Sequence, residues 1–257
     1  MLVVESMMNA EALKVDLRTI FRAELPYQEQ RPSTRMILRT LLSASLPLIR
    51  GIYGVPSLLS TPDPFILTIN HSQYAEALLI PSLLMFLRGG KPIRFLSDWN
   101  FLLIPGLRSL MRRAETIPVM MKSARPRWLN CFRRRLVKGP AGIDGARLSL
   151  AQGKSIGIFP EGRAHGDTRF MRRGHLGAAL LAIESGVPVF PAGIRFPGHI
   201  QGRPLPPLAP LELRIGEAIR PGCQGTTSHK EQVQDLHRKI MISIARLAEK
   251  KWIHYMH

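Results

Sequence analysis

Residues 65–76 read FILTINHSQYAE, an apolar run that stops at Asn70-His71 and is followed by an acid, Glu76, five positions after the histidine. Phe65, Ile66, Leu67 and Ile69 have the length of a buried strand entered through Pro62 and Pro64, and residues 77–87 continue as an apolar, helix-like segment. His71 is thereby expected at a strand-to-helix turn. Within one regular helix a five-residue offset turns a side chain by roughly 140°, so His71 and Glu76 meet only if the histidine lies outside the first turn. Three residues after Ser72 stands Ala75, so Glu76 is not the partner of a Ser72 capping box. A carboxylate that holds one imidazole nitrogen leaves the other free to take a proton from a hydroxyl. A histidine at a helix entrance is more commonly a solvated or capping residue, and this stretch alone leaves both readings open.

The chain has 257 residues, 45% of them hydrophobic and 21% charged, which is ordinary for a globular protein and excludes wholesale disorder. Lys and Arg number 36 against 18 Asp and Glu, and a net charge of +18 points to an anionic partner: nucleic acid, a phospholipid surface or an acidic substrate. Cys131 and Cys223 lie far apart without metal-type spacing, which fits a reducing compartment and no zinc site. The N-terminus does not read as a secretory signal, and no apolar run reaches the ~18 residues of a membrane span. Residues 36–49, MILRTLLSASLPLI, are too short, carry Arg39 and are broken by Pro47. They can lie in a membrane interface or pack as a helix on the domain.

Residues 1–59 are expected to form an N-terminal helical segment. Leu13, Leu17, Ile20 and Phe21 stand at helical spacing, and residues 51–64, rich in Gly, Pro and Ser, read as a link into a domain covering residues 60–257. From there strand patterns at 65–69, 93–96, 116–120, 155–159, 189–194 and 211–215 alternate with helical patterns at 75–87, 101–112, 143–151 and 175–185. A final helix opens with a capping box of Ser228 and Glu231 and carries Val233, Leu236, Ile240, Ile244 and Leu247 on one stripe. This order predicts an α/β domain with helices covering a mixed, mostly parallel sheet, plus an N-terminal helical appendage.

A second apolar run, SIGIFPEGR at residues 155–163, also ends in a polar turn, Pro160-Glu161-Gly162 followed by Arg163. Ligands of open α/β sheets bind beyond the carboxyl ends of the strands, so the two turns can border one crevice. In this order, about 90 residues apart, Asn70-His71 with Glu76 and Phe159-Pro160-Glu161-Gly162 resemble the glycerolipid and lysophospholipid acyltransferase family, whose type member acylates 1-acylglycerol-3-phosphate. The resemblance covers roughly residues 60–220. It is extended by Ile104-Pro105-Gly106 with Thr116-Ile117-Pro118-Val119, by Arg172-Arg173-Gly174, by Gly186-Val187-Pro188 and by Arg214-Ile215-Gly216-Glu217.

The resemblance implies that His71 is a general base, that Glu76 orients it, and that Glu161 and Gly162 belong to the acceptor-binding turn; a phosphate on the acceptor needs cations, which Arg163 and Lys122 are expected to supply. It implies transfer of an acyl group from a thioester, on coenzyme A or acyl carrier protein, to the hydroxyl of a lysophospholipid such as lysophosphatidic acid, with no cofactor. The absence of a G-x-S-x-G elbow agrees with a reaction that needs no covalent enzyme intermediate. Three positions depart from the family pattern. Glu76 replaces its aspartate, the Thr of F-P-E-G-T-R-S is missing so that Arg163 arrives one place early, and Met120-Met121-Lys122 follows the valine where an Arg is usual. Other readings stay open at this stage: an acyltransferase for a different, for example amino-acid-headed, lysolipid, or a non-catalytic basic protein binding membranes or nucleic acid. Against nucleic acid, no known nucleic-acid motif is present. The expected site of action is the cytoplasmic face of a membrane, with attachment to its anionic surface.

Overall fold

The computed structural model describes residues 12–28, 31–200, 203–222 and 228–253. In chain order it contains α1 (Leu17–Arg22), α2 (Pro32–Ser45), β1 (Ile49–Tyr53), α3 (Val55–Ser60), β2 (Ile66–Ile69), α4 (Glu76–Leu87), β3 (Arg94–Asp98), α5 (Pro105–Arg113) and β4 (Ile117–Val119). Then follow α6 (Arg133–Leu136), α7 (Gly142–Ala151), β5 (Ile156–Ile158), α8 (Gly177–Ser185), β6 (Val189–Arg195), β7 (Leu211–Ile215) and α9 (His229–Ala248).

The strands make one sheet in the order β1-β7-β6-β2-β5-β3-β4. Every neighbouring pair is parallel except β6 and β7. β2 lies at the centre with all four residues buried, as its unbroken apolar run requires of a strand covered on both faces. Alternation sends Phe65, Leu67 and Ile69 into a core shared with α2 and α4, while Ile66 joins Ile156, Ile158 and Val189 beneath α7, α8 and α9. The last turn of α9 rests directly on β6 at Gly193, where a Cβ would come within 2.4 Å of the Ala248 backbone nitrogen. Glycine is what permits that approach.

The mixed, mostly parallel sheet is as expected, but the segment before residue 60 is built into it. β1 pairs in parallel with β7, and Leu38 and Leu42 of α2 are buried in the core that contains α4. Residues 51–64 read as a link because Gly51 stands inside a short edge strand while Gly54 and Pro56 open α3 directly after it, and the strand is held by pairing with β7. The helix expected over 101–112 is also divided. A 3₁₀ turn, Trp99–Leu103, precedes α5, and Ile104 is extended because it stands before a proline. In α1 only Ile20 of the expected stripe is fully buried, while Leu17 and Phe21 face solvent.

At the start of β2, Asp63 ties three elements together. Arg88 donates two hydrogen bonds to it at 2.7 Å, Lys91 approaches to 2.5 Å, and the Ser155 hydroxyl donates to Oδ1 while accepting the Phe65 N–H at 3.0 Å. Burial raises the Asp63 carboxyl, but the hydrogen bonds of Lys91 and Ser155 and the charges of Arg88 and Lys91 outweigh it and hold the group below its ordinary 3.8. A carboxyl with a lowered folded value stabilises fully above the unfolded value, and the contribution is lost as pH falls through the folded one. Asp63→Asn is expected to cost about 2 kcal/mol at pH 7, and the gap between parent and variant should close on acidification. Denaturant titrations at neutral and strongly acidic pH test this; a gap that persists in acid would remove the carboxylate from the account.

Candidate active site

Parallel pairing of β2 with β5, Ile66 opposite Ile156, carries both chains out of the sheet at the same edge. Asn70 turns the first of them. Its side-chain amide continues the ladder toward β6, accepting from the Ile194 N–H at 2.6 Å and donating to the Ile194 carbonyl at 3.1 Å. The backbone of His71 is then gripped from both sides by the segment that follows β5. Its N–H donates to Glu161 Oε1 at 3.1 Å, and its carbonyl accepts from the His165 N–H at 2.9 Å. Gln73 holds the far side of the turn through Ala209, donating to its carbonyl at 3.1 Å and accepting from its N–H at 3.3 Å.

His71 precedes α4 and Glu76 is its first residue, so the two side chains converge across the turn as the five-residue spacing requires. His71 Nδ1 lies 3.0 Å from Glu76 Oε2, which also accepts the Ser72 N–H at 2.7 Å. The carboxylate selects the tautomer with the proton on Nδ1 and leaves Nε2 as the basic nitrogen. Phe159 backs the imidazole, ring centroids 4.5 Å apart, and fixes its plane. Glu76 has no exposed surface, and His71 is 8% exposed, enough for one ring edge to be reached. The positive end of α4 favours the charge of Glu76, placed in its first turn.

The Glu161 carboxylate is buried and hydrogen-bonded within the protein, Oε1 to His71 N–H and Oε2 to Arg172 N–H at 2.9 Å, so it positions the histidine. Gly162 adopts φ +72°, and a Cβ there would lie 3.0 Å from His175 Nε2; the turn requires glycine for both reasons. Arg163 is exposed beyond this turn and forms no ion pair among the described residues. Lys122 follows β4 at the same sheet edge, its side chain 59% exposed and 3.7 Å from Asp98. Neither cation is hydrogen-bonded to His71 or Glu76.

Sequence reasoning missed Lys250. α9 ends at Ala248, Glu249 takes φ 55°, and the Lys250 N–H closes the turn on the Ala245 carbonyl at 2.9 Å. The side chain then runs inward, 8% exposed, and its ammonium donates to Ser72 Oγ and to the Asp167 carbonyl, both at 2.8 Å. Burial pushes it below the ordinary lysine value of 10.5, opposed by the charges of Glu161, Glu76 and Asp167. One buried ammonium thus offsets two buried carboxylates, including Glu76 Oε1, which lacks a hydrogen bond among the described residues. In the sequence, Glu249-Lys250-Lys251 reads as an ordinary solvated helix end. No group of His, Cys, Asp and Glu able to hold a metal ion occurs among the described residues.

A family model described as Acyltransferase matches residues 55–195, the stretch that contains His71, Glu76 and Glu161. No curated protein sequence matches the chain. Among solved structures, the crystal structure of the 1-acyl-sn-glycerophosphate (LPA) acyltransferase PlsC from Thermotoga maritima is similar, with a TM-score of 0.55 and 19% identity over 90% of this chain and 86% of that one. At that identity the likeness concerns the fold.

Removing one partner from a buried ionic cluster leaves the others uncompensated, so Lys250→Met is expected to destabilise by about 3 to 5 kcal/mol. Thermal and denaturant unfolding measure this. Stability equal to the parent's would mean that the ammonium does not balance the carboxylates.

Proposed function

From the premise that the chain belongs to the acyltransferase family, we propose that it moves an acyl group from a thioester, on coenzyme A or acyl carrier protein, to the free hydroxyl of a lysophospholipid such as lysophosphatidic acid. The observation that carries this reading is the buried His71–Glu76 pair, set at a strand end with Nε2 directed away from the carboxylate. The acceptor hydroxyl gives its proton to Nε2 as its oxygen attacks the thioester carbonyl carbon. Glu76, hydrogen-bonded by Ser72 N–H and placed in the first turn of α4, stabilises the imidazolium. When the tetrahedral intermediate collapses, the carbon–sulfur bond breaks and the imidazolium returns the proton to the departing thiolate. The products are an ester and a free thiol, and no cofactor takes part.

The acceptor phosphate needs cations, and Arg163, without an ion pair among the described residues, and Lys122, 3.7 Å from Asp98, are two that can supply them. Arg163 can hold a phosphate bidentately, whereas Lys122 offers a compact charge. The similar protein from Thermotoga maritima is an LPA acyltransferase, which supports a phosphate-bearing acceptor. The shortened Glu161-Gly162-Arg163 turn favours a second reading, in which the lysolipid carries another headgroup. On either reading the protein works at the cytoplasmic face of a membrane, peripherally attached to its anionic surface.

His71→Ala is expected to lower turnover by roughly 10² to 10⁴ while the protein stays folded. Near-full activity in a folded variant would exclude His71 as the base. Glu76→Gln should reduce kcat far more than acceptor affinity, and Glu76→Asp should lose activity because the shorter acid no longer spans from the helix to Nδ1. Arg163→Ala and Lys122→Ala should raise KM for lysophosphatidic acid by about tenfold or more, since a charge-assisted hydrogen bond contributes about 1.5 to 3 kcal/mol, with little change in thioester dependence. If the parent uses a lysolipid lacking a phosphomonoester equally well, and both variants do too, the second reading replaces the first.

A further inference from the structure

The interfacial candidate of the sequence, residues 36–49, has its apolar face turned inward: Leu38 and Leu42 are buried against the core of α4, and the chain continues into β1. Another segment has the opposite character. Between Glu115 and Asp144 there is no acidic residue, while seven Lys or Arg side chains fall between Met120 and Lys138. The same stretch holds apolar side chains toward solvent, with Met121 81% and Trp128 66% exposed and Met120 and Phe132 partly so.

The segment is a braced strap and not a loose loop. It leaves β4 at the edge of the sheet where β2 delivers His71, three strand spacings away, or about 14 Å. Its inner side is tied down: Trp99 Nε1 donates to the Lys122 carbonyl at 2.8 Å, the Arg133 guanidinium lies over the buried Trp99 ring and donates to the Met120 carbonyl, and Asn130 Oδ1 accepts the Ala124 N–H at 3.0 Å. Behind it, Arg108 and Arg112 of α5 and Phe132, Arg135, Leu136 and Lys138 line a hollow of about 410 Å³. Arg108, Arg112, Arg134, Arg135 and Lys138 have no acidic partner among the described residues.

We propose that this strap docks the protein on an anionic phospholipid bilayer, with Met121 and Trp128 at headgroup depth and lipid phosphates on Arg134, Arg135 and the Arg108–Arg112 hollow. Cations flanking exposed aromatic and thioether side chains match the two layers of a membrane interface, charged phosphates above and acyl chains below. An acidic protein partner would satisfy the cations but leaves the exposed Met121 and Trp128 without a reason. The inference rests on the acylation reading in one respect, that a lysolipid arriving from the bilayer meets His71 on the edge where the strap lies.

Fluorescence separates the possibilities, because Trp99 and Trp252 are buried and Trp128 is the exposed tryptophan. Full-length protein mixed with vesicles of phosphatidylcholine and phosphatidylglycerol should sediment with them and show a blue-shifted emission. Pure phosphatidylcholine vesicles should do neither. Arg134→Gln with Arg135→Gln should weaken partitioning by about 30-fold, Trp128→Ser should abolish the spectral shift, and Met36→Ser on α2 should change nothing. All variants should keep parental turnover on lysolipid dispersed in detergent. Vesicle binding that is unchanged in the strap variants, or that occurs without a blue shift, would overturn the proposal. So would strap variants that bind vesicles normally but lose saturation by an acidic carrier protein. Vesicle binding that follows the strap in a protein with no acyl transfer to any lysolipid would leave this surface standing and remove the proposed function instead.

Discussion

Glu76 is a carboxylate with no exposed surface, and much of the molecule is arranged around the cost of keeping it there. An ionised group moved out of water is tolerated only if hydrogen bonds and opposite charge replace the lost solvation. Here the replacements come from every distance along the chain. Ser72 N–H is four residues away, His71 Nδ1 five, the free N–H groups of α4 adjoin it, and the Lys250 ammonium reaches in from the end of the last helix. The side chain is therefore aimed at His71 Nδ1 by the fold itself.

His71 is likewise held within the protein through its backbone. Its backbone N–H and carbonyl are both taken by the segment after β5, and Glu161 carries the connection on to Arg172. Glu161 is thus a brace between the two strand ends that form the site. The brace works only because β2 and β5 are adjacent and parallel, so that their ends emerge side by side. Asn70 completes it on the other side by imitating a strand residue toward β6.

Charge is distributed in a comparable division of labour. The acids are largely engaged: Asp63 braces the start of β2, Glu115 pairs with Arg94 and Lys154, and Glu212 and Glu249 pair with Arg195 and Arg214. With twice as many bases as acids, many cations have no acidic partner among the described residues. Several of these gather in the strap after β4 and on α5, whereas α2 buries its apolar stripe. No helix among the described residues is long and apolar enough to cross a membrane.

The sequence by itself determined the alternation of strands and helices, the central position of residues 65–69, the capping box of α9 and the His71–Glu76 pair. These are local facts: an unbroken apolar run, a proline or glycine stop, a five-residue spacing across a turn. The tertiary structure alone decided the rest. β1 is a strand because β7 pairs with it, and nothing in Ile49–Tyr53 compels an extended chain. Glu161 is a brace because Arg172 N–H and His71 N–H both happen to face it, a convergence across 90 residues that no spacing rule encodes. Lys250 is a buried counter-charge because Glu249 turns the chain inward at the end of α9; one residue earlier or later, the same ammonium would stand in water. Backbone conformation follows from neighbours in sequence, but the solvation of a charge follows from neighbours in space, and those exist only once the sheet has formed.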